Sequence, residues 1–345
     1  MRTPTLLLGL PNLALAASLV LTLAACPKDT KSTTPDADGG TAATAKKPMP
    51  KIAVIPKGTT HEFWKSVHAG AVKASKEENV EIVWKGPLKE DDLKAQIDVV
   101  QSFASQKVNG IVLAPLSDKG LVGSVKAAAE SKIPVVVFDS DLQGDAHTSF
   151  VATDNFAAGK MAGDALAKAV GDKGEVLMLR YQEGSASTTN RENGFLDAMK
   201  AHPNVKVVSD TRFGGATTES AFSTSESLLS AQKGVAGVFT PNESTTFGML
   251  LALRKAGLAK KVHLVGFDSS EKLVAGLRDG DVDGLVLQDP FKIGYLATKT
   301  MAAVLRGDKV EKRVDTGAKL VTKDNMESAE MKALLSPDLK TWLGE

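Results

Sequence analysis

The chain has 345 residues and very few of the types that usually announce a site: one cysteine, two tyrosines, three tryptophans, and aromatics at only 5%. A lone Cys26 excludes an internal disulfide framework and any structural zinc site built on cysteines. Charge of one sign is missing too, since 42 basic residues face 41 acidic ones for a formal charge of +1. That balance gives no electrostatic footprint for nucleic acid, and a small neutral ligand suits it better. There is no GxSxG elbow, no Walker A loop, no GxGxxG after a strand and no HExxH. His61 and His68 can share a helix face, but two imidazoles without a third ligand make a poor zinc site. No metal and no cofactor are expected. Against this background "KGTTHEFW", Lys57 to Trp64, stands out, because it sets His61, Phe63 and Trp64 together on a turn after the apolar run "IAVIP".

Residues 1–25 carry one early charge, Arg2, then an apolar run from Leu6 to Ala25 broken by Pro11 and Asn12, the layout of a secretory signal. A transmembrane anchor needs about 20 apolar residues, and the interruptions argue against one. The segment "LAAC", Leu23 to Cys26, resembles the lipobox of bacterial lipoproteins, which implies lipidation at Cys26 and a protein tethered to a membrane without spanning it. Residues 26–50 are rich in Thr, Ala, Pro, Gly, Lys and Asp, with almost nothing to pack, and are expected to form a flexible tether.

Beyond Lys51, short β-rich runs alternate with helical patterns, the signature of βαβ units and mainly parallel sheets. The expected strands are IAVIP, VEIVW, GIVLAP, PVVVFD, SFVAT, EVLMLR, VKVVS, GVFT, HLVGFD and GLVLQ. Between them, Phe63, Val67, Ala71 and Ala74 recur at helical spacing, as do Leu93, Ile97, Val100 and Ala104. An internal echo divides the chain: "VNGIVLAP" is answered by "VAGVFTP", and "VVVFDS" by "HLVGFDS", in the same order and at like spacing. Together with the length, the echo predicts two similarly built α/β lobes.

Ligands of open α/β sheets lie beyond the carboxyl ends of the strands. Residues that follow each strand are therefore the candidates: His61, Phe63 and Trp64; Asp139 and Ser140; Arg191 of "RENGF"; Phe213; Asn242; Asp268; and Gln288. These types suit a sugar, whose C–H faces lie against flat rings and whose belt of hydroxyls is met by carboxylate, amide and guanidinium groups.

In this pattern the chain from about Lys51 to Lys323 resembles the ribose-binding group of periplasmic sugar-binding proteins, which have the type I fold. The resemblance rests on the aromatics Phe63 and Trp64 after the first strand, Asp139 after the fourth, and Arg191 at a helix start. Phe213, Asn242, Asp268 of "VGFD" and Gln288 of "LVLQDP" complete it. It departs at two places: Ser140 stands where the group has an arginine, and His61 where it has an asparagine. One cationic fork is lost, and volume beside Asp139 is expected to be free for a larger hexose, a polyol or a differently placed hydroxyl.

The resemblance implies two Rossmann-like lobes with parallel sheets joined by a three-strand hinge near Thr153 and Asp154, Gln288 to Pro290, and Thr316 to Ala318. The N-terminal lobe would comprise residues 51–153 plus 289–316, the C-terminal lobe 154–288 plus 317–323. The segment 324–345, with "MKALL", is expected to be a short helix packed outside a lobe. Implied with these are a lipid-anchored, monomeric solute-binding protein on the periplasmic or outer face of the cell membrane, a permease of an ABC importer as partner, and no turnover. A sensor-coupled binding protein would look the same. A regulator of this fold needs a helix-turn-helix before the core, and residues 1–50 offer none.

Plainer readings accompany several of the candidates. Phe63 and Trp64 fit a core stripe, Asp139 and Asp268 fit helix N-caps, Arg191 fits a solvated charge, and Phe213 fits packing under a loop. Two facing carboxylates are also the equipment of a glycosidase, but the sequence supplies no separate activated nucleophile.

Overall fold

Strands such as "VVVF", with every side chain buried, require cover on both faces, and the chain supplies it with helices. A computed structural model describes residues 48–344. The signal at 1–25, the lipidation at Cys26 and the tether as far as residue 47 lie outside the described residues.

The first stretch gives β1 (Lys51–Ile55), α1 (Glu62–Glu78), β2 (Glu81–Trp84), α2 (Leu93–Ser105), β3 (Gly110–Leu113), α3 (Val122–Glu130), β4 (Val135–Phe138) and β5 (Ser149–Ala152). Then come α4 (Asn155–Ala169), β6 (Gly174–Arg180), α5 (Ala186–Met199), β7 (Val205–Phe213), α6 (Thr218–Ala231), β8 (Gly237–Phe239) and α7 (Glu243–Lys255). The remainder is β9 (His263–Phe267), α8 (Glu271–Asp279), β10 (Gly284–Leu287), α9 (Pro290–Arg306), β11 (Arg313–Asp315), β12 (Lys319–Val321), α10 (Ala329–Leu335) and α11 (Lys340–Leu343). All ten strands expected from the sequence are present; β11 and β12 are additions.

One sheet has the order β11-β5-β4-β3-β1-β2 and is parallel throughout. The other, β12-β10-β9-β8-β6-β7, is parallel except for the antiparallel β10–β12 pair. The backbone passes between the sheets at Thr153 and Asp154, at Gln288 and Asp289, and at Thr316 to Ala318. The first and third crossings are bound to each other: Thr153 Oγ1 lies 3.3 Å from Thr316 Oγ1, and Asp154 N–H donates to Asp315 at 3.0 Å.

Period-two alternation assigns each strand's side chains to opposite cores. In the first lobe, Ala53, Ile111, Leu113 and Val137 pack under α2 and α3, while Ile52, Val54, Val112 and Val136 pack under α1 and α9. In the second, Leu177, Val238 and Leu264 face α7 and α8, while Val176, Met178 and Phe267 face α4 and α5. The α1 and α9 pair touches backbone to backbone through Gly70 and Gly294, and the α4 and α5 pair does so through Gly159 and Gly194. A methyl group at Gly70 would overlap the Phe291 carbonyl, and one at Gly159 the Arg191 carbonyl.

The tail departs from expectation. It forms two helices, and they lie on both lobes. Met326, Met331 and Leu335 enter the core of the second lobe, whereas α11 lies on α1 of the first. There the Trp342 ring is 6.4 Å from that of Phe291, with Lys76 Nζ 5.2 Å from its centre. Tail and hinge together line a cavity of about 690 Å3 bounded by Gln288, Phe291, Thr316, Leu334 and Trp342.

Gly294→Ala should overpack the α1–α9 contact and lower stability by about 1–3 kcal/mol in urea unfolding. Gly123→Ala, at an exposed α3 position where a methyl meets nothing, should raise it by up to about 1 kcal/mol. Equal responses would show that the close approach is not what Gly294 provides.

Candidate functional site

Because both sheets are parallel but for β12, the loops after their parallel strands leave at the carboxyl edge, and the two carboxyl edges face each other. They enclose a cavity of about 30 Å3. From the first lobe it is lined by Lys57, His61, Phe63, Trp64, Glu90 and Asp139; from the second by Tyr181, Ser187, Thr188, Arg191, Asn242, Glu243 and Asp268, with Gln288 at a crossing. Eight of the ten residues expected from the sequence lie there.

The other two do not line the cavity. Ser140 is fully buried beside it, and its Oγ accepts the Ser187 N–H at 3.1 Å, from lobe to lobe. Phe213 ends the edge strand β7 with 45% of its surface exposed. The β6–β7 pairing has two register irregularities, and such breaks re-aim a strand's last side chains.

Asp139 and Asp268 follow β4 and β9 with φ of 61° and 65°, the left-handed region that aspartate tolerates better than most residues. The kink turns each carboxylate into the cleft. Neither caps a helix; Ser270 is the N-cap of α8. Asn242, by contrast, both lines the cavity and caps α7, its Oδ1 accepting from Thr245 N–H at 3.3 Å.

Arg191 is 2% exposed, so it is no solvated surface charge. Its Nε donates to Asn155 Oδ1 and its Nη1 to the Pro241 carbonyl, both at 2.8 Å, and the guanidinium sits 4.5 Å over the Phe267 ring. These contacts aim it at Asp268, 3.9 Å away. Asp268 also accepts Gln288 Nε2–H at 2.8 Å and the Glu243 backbone N–H at 3.1 Å. Burial raises the Asp268 pKa, against the pull of Arg191 and Gln288.

The volume expected to be free beside Asp139 is filled by Lys57. Its ammonium lies 3.2 Å from the Asp139 carboxylate and donates to Ser187 Oγ at 3.0 Å and Ser185 Oγ at 3.3 Å. A point charge from the first strand's loop takes the place of the missing guanidinium, and it joins the lobes.

Glu90 is also absent from the sequence reading, as are Tyr181, Ser187, Thr188 and Glu243 among the lining residues. The Glu90 carboxylate accepts Trp64 Nε1–H and the Tyr181 hydroxyl, each at 2.6 Å, and lies 3.0 Å from His61 Nδ1. Trp64 is accordingly 3% exposed, edge-on to Phe63 and Phe138, so it is core and cleft wall at once. Burial alone would lower the His61 pKa, but Glu90, with Glu243 and Asp268 behind it, raises it to about 9. Burial would raise Glu90, but His61, Lys57 and the Tyr181 hydroxyl hold it at about 2. Lys57 comes two residues after β1 and Tyr181 directly follows β6, so the strand-end rule reaches them; Glu90 sits mid-loop in "LKEDD" and carries no such signal.

The raised His61 value means that its pair with Glu90 stabilises fully below about pH 6.5 and fades as pH rises through about 9. The depressed Glu90 value means that the pair is complete above about pH 4.5 and fades as pH falls through about 2. The melting temperature of the wild type should therefore fall toward that of His61→Gln between pH 6.5 and 9. A constant gap across that window would exclude the pair as its source.

The periplasmic binding protein domain family matches residues 52–309, which leaves out the tail. A D-ribose/D-allose-binding protein of Pseudomonas aeruginosa is 30% identical over 290 residues, covering 79% of this chain and 89% of that one. A carbohydrate transporter solute binding protein from Agrobacterium radiobacter, solved with D-arabinose, is 36% identical; the match covers 84% of this chain and 99% of the other, at a TM-score of 0.81. An ABC transporter solute binding protein from Agrobacterium vitis with bound D-fucose is 35% identical, with coverage of 83% and 100% and a TM-score of 0.80. Fold and sequence thus agree, and the chain belongs to the periplasmic binding proteins of type I fold, in their sugar-binding, ribose-binding group.

Proposed function

We propose that the protein captures a monosaccharide or related polyol between its lobes and delivers it to the permease of an ABC importer, anchored to the membrane through a lipidated Cys26. The observation that carries this reading is the convergence, from both lobes, of rings and hydroxyl-matching groups on one cleft: Phe63 and Trp64 beside Asp139, Arg191, Asn242 and Asp268. The relatives solved with D-arabinose and D-fucose support the ligand class.

A cavity of 30 Å3 holds about one water, so a sugar enters only when the lobes part. The three crossings are where a few dihedrals absorb that rotation while each lobe stays rigid. On closing, Lys57 meets Ser185 and Ser187, Tyr181 meets Glu90, and Ser187 meets Ser140. A ligand shifts this equilibrium by its preference for lobes closed around it, a wider form than this one, and by no more than that.

Calorimetry with D-arabinose, D-fucose, D-ribose, D-allose and a polyol should find at least one ligand tighter than about 1 mM; none would sink the reading. Asp268→Ala should weaken that ligand by about 1–3 kcal/mol with the far-UV spectrum unchanged, since a hydroxyl loses its buried acceptor. Undiminished affinity would mean that the cleft is misassigned. Cys26→Ser should move the protein from the membrane fraction to the soluble one, and unaltered partitioning would remove the anchor.

A further inference from the structure

The charges lining the cleft pair off with one left over. Asp139 has Lys57 at 3.2 Å, Glu90 has His61 at 3.0 Å, and Asp268 has Arg191 at 3.9 Å. Glu243 is a fourth carboxylate among three cations, and its Oε2 is buried without a hydrogen-bond partner. The charges that act on it most are His61, already held by Glu90, and the carboxylates of Asp268, Glu62 and Glu90. Lys272, which shares an adjoining cavity with Glu243, sits over the Phe247 ring at 4.9 Å.

A second orphan lies on the same wall. Gln288 is 4% exposed, and its Oε1 also has no partner. Both residues flank Asp268: Gln288 donates to one of its oxygens through Nε2, Glu243 to the other through its backbone N–H. The second lobe thus presents two unmet acceptors on either side of an occupied one, and one of them belongs to a carboxylate with no cation of its own. A buried acceptor without a donor is costly, and a buried charge without a counter-charge more so. A sugar hydroxyl supplies one donor and no charge, whereas an ammonium supplies three donors and the missing charge.

The geometry points to an amino sugar or amino polyol as the ligand of this cleft, its ammonium held by Glu243 and the Gln288 amide oxygen while its hydroxyls meet the remaining groups. This rests on the sugar-binding reading of the site and narrows it. Burial, opposed by His61 and reinforced by Asp268, Glu62 and Glu90, pushes Glu243 up to about 7, as expected of a carboxylate short of a cation.

Calorimetry on the full chain at neutral pH tests it, comparing D-glucosamine, D-galactosamine and 1-amino-1-deoxysorbitol with D-glucose, D-galactose and sorbitol. At least one amine should bind tenfold or more tighter than its hydroxyl parent, and N-acetylation should remove the advantage. Glu243→Gln should bring the amine-to-parent ratio toward one, and Glu243→Asp should keep a preference; melting temperatures confirm that both variants fold. Parents that bind as well as their amines would overturn the amino ligand and leave the sugar reading standing. A preference untouched by Glu243→Gln would overturn the role of Glu243. Failure of both series, and of the neutral panel above, would sink the sugar reading and this inference with it.

Discussion

Closing two charged lobes on each other excludes water, and every ionised group caught between them must then find a partner or be destabilising. Glu90 shows how this constraint organises the protein. Its two oxygens receive hydrogens from Trp64 of its own lobe and Tyr181 of the other, with the His61 imidazolium alongside. The same carboxylate thus fixes the tryptophan ring, keeps the histidine protonated and ties the lobes. Lys57 repeats the arrangement on the far wall with Asp139 and two serines. Much of the cleft is therefore satisfied by the protein's own groups, and the unmet ones, on Glu243 and Gln288, stand apart.

The fold was legible because parallel strands are apolar on both faces and separate cleanly from amphipathic helices; "VVVF" and "GLVL" admit few other readings. The short β11 and β12, of three residues each, carry too little pattern to be seen. Site residues were legible where topology fixes them, at strand ends, as with Asp139, Asn242 and Asp268. Two kinds of residue escaped. Glu90 lies in a loop among other charges, where the sequence does not distinguish a buried carboxylate from a solvated one, and only its sequence-distant partners His61, Trp64 and Tyr181 make it special. Phe213 follows a strand as the rule requires, but irregular pairing with β6 turns the end of that strand outward. Periodicity along one segment does not encode its partner's register.

The echo between the halves has a physical counterpart. Asp139 and Asp268 occupy matching places after β4 and β9, each in left-handed backbone. Each lobe also has a helix pair drawn together by two glycines, α1 with α9 and α4 with α5. The repetition stops at polar detail: Asp139 meets a lysine and Asp268 an arginine and an amide. Similar frames give the two halves of the cleft different chemistry.

The tail ties the two lobes by a route other than the hinge. Leu335 is anchored in one lobe and Lys340 begins the helix that rests on the other, so the intervening residues 336–339 form a leash. The five Cα–Cα steps from Leu335 to Lys340 reach roughly 17 Å when extended, which caps how far those anchor points can separate before one helix lets go. The aperture of the binding cleft is thereby limited from outside the cleft, by a segment beyond the part of the chain that the family match covers.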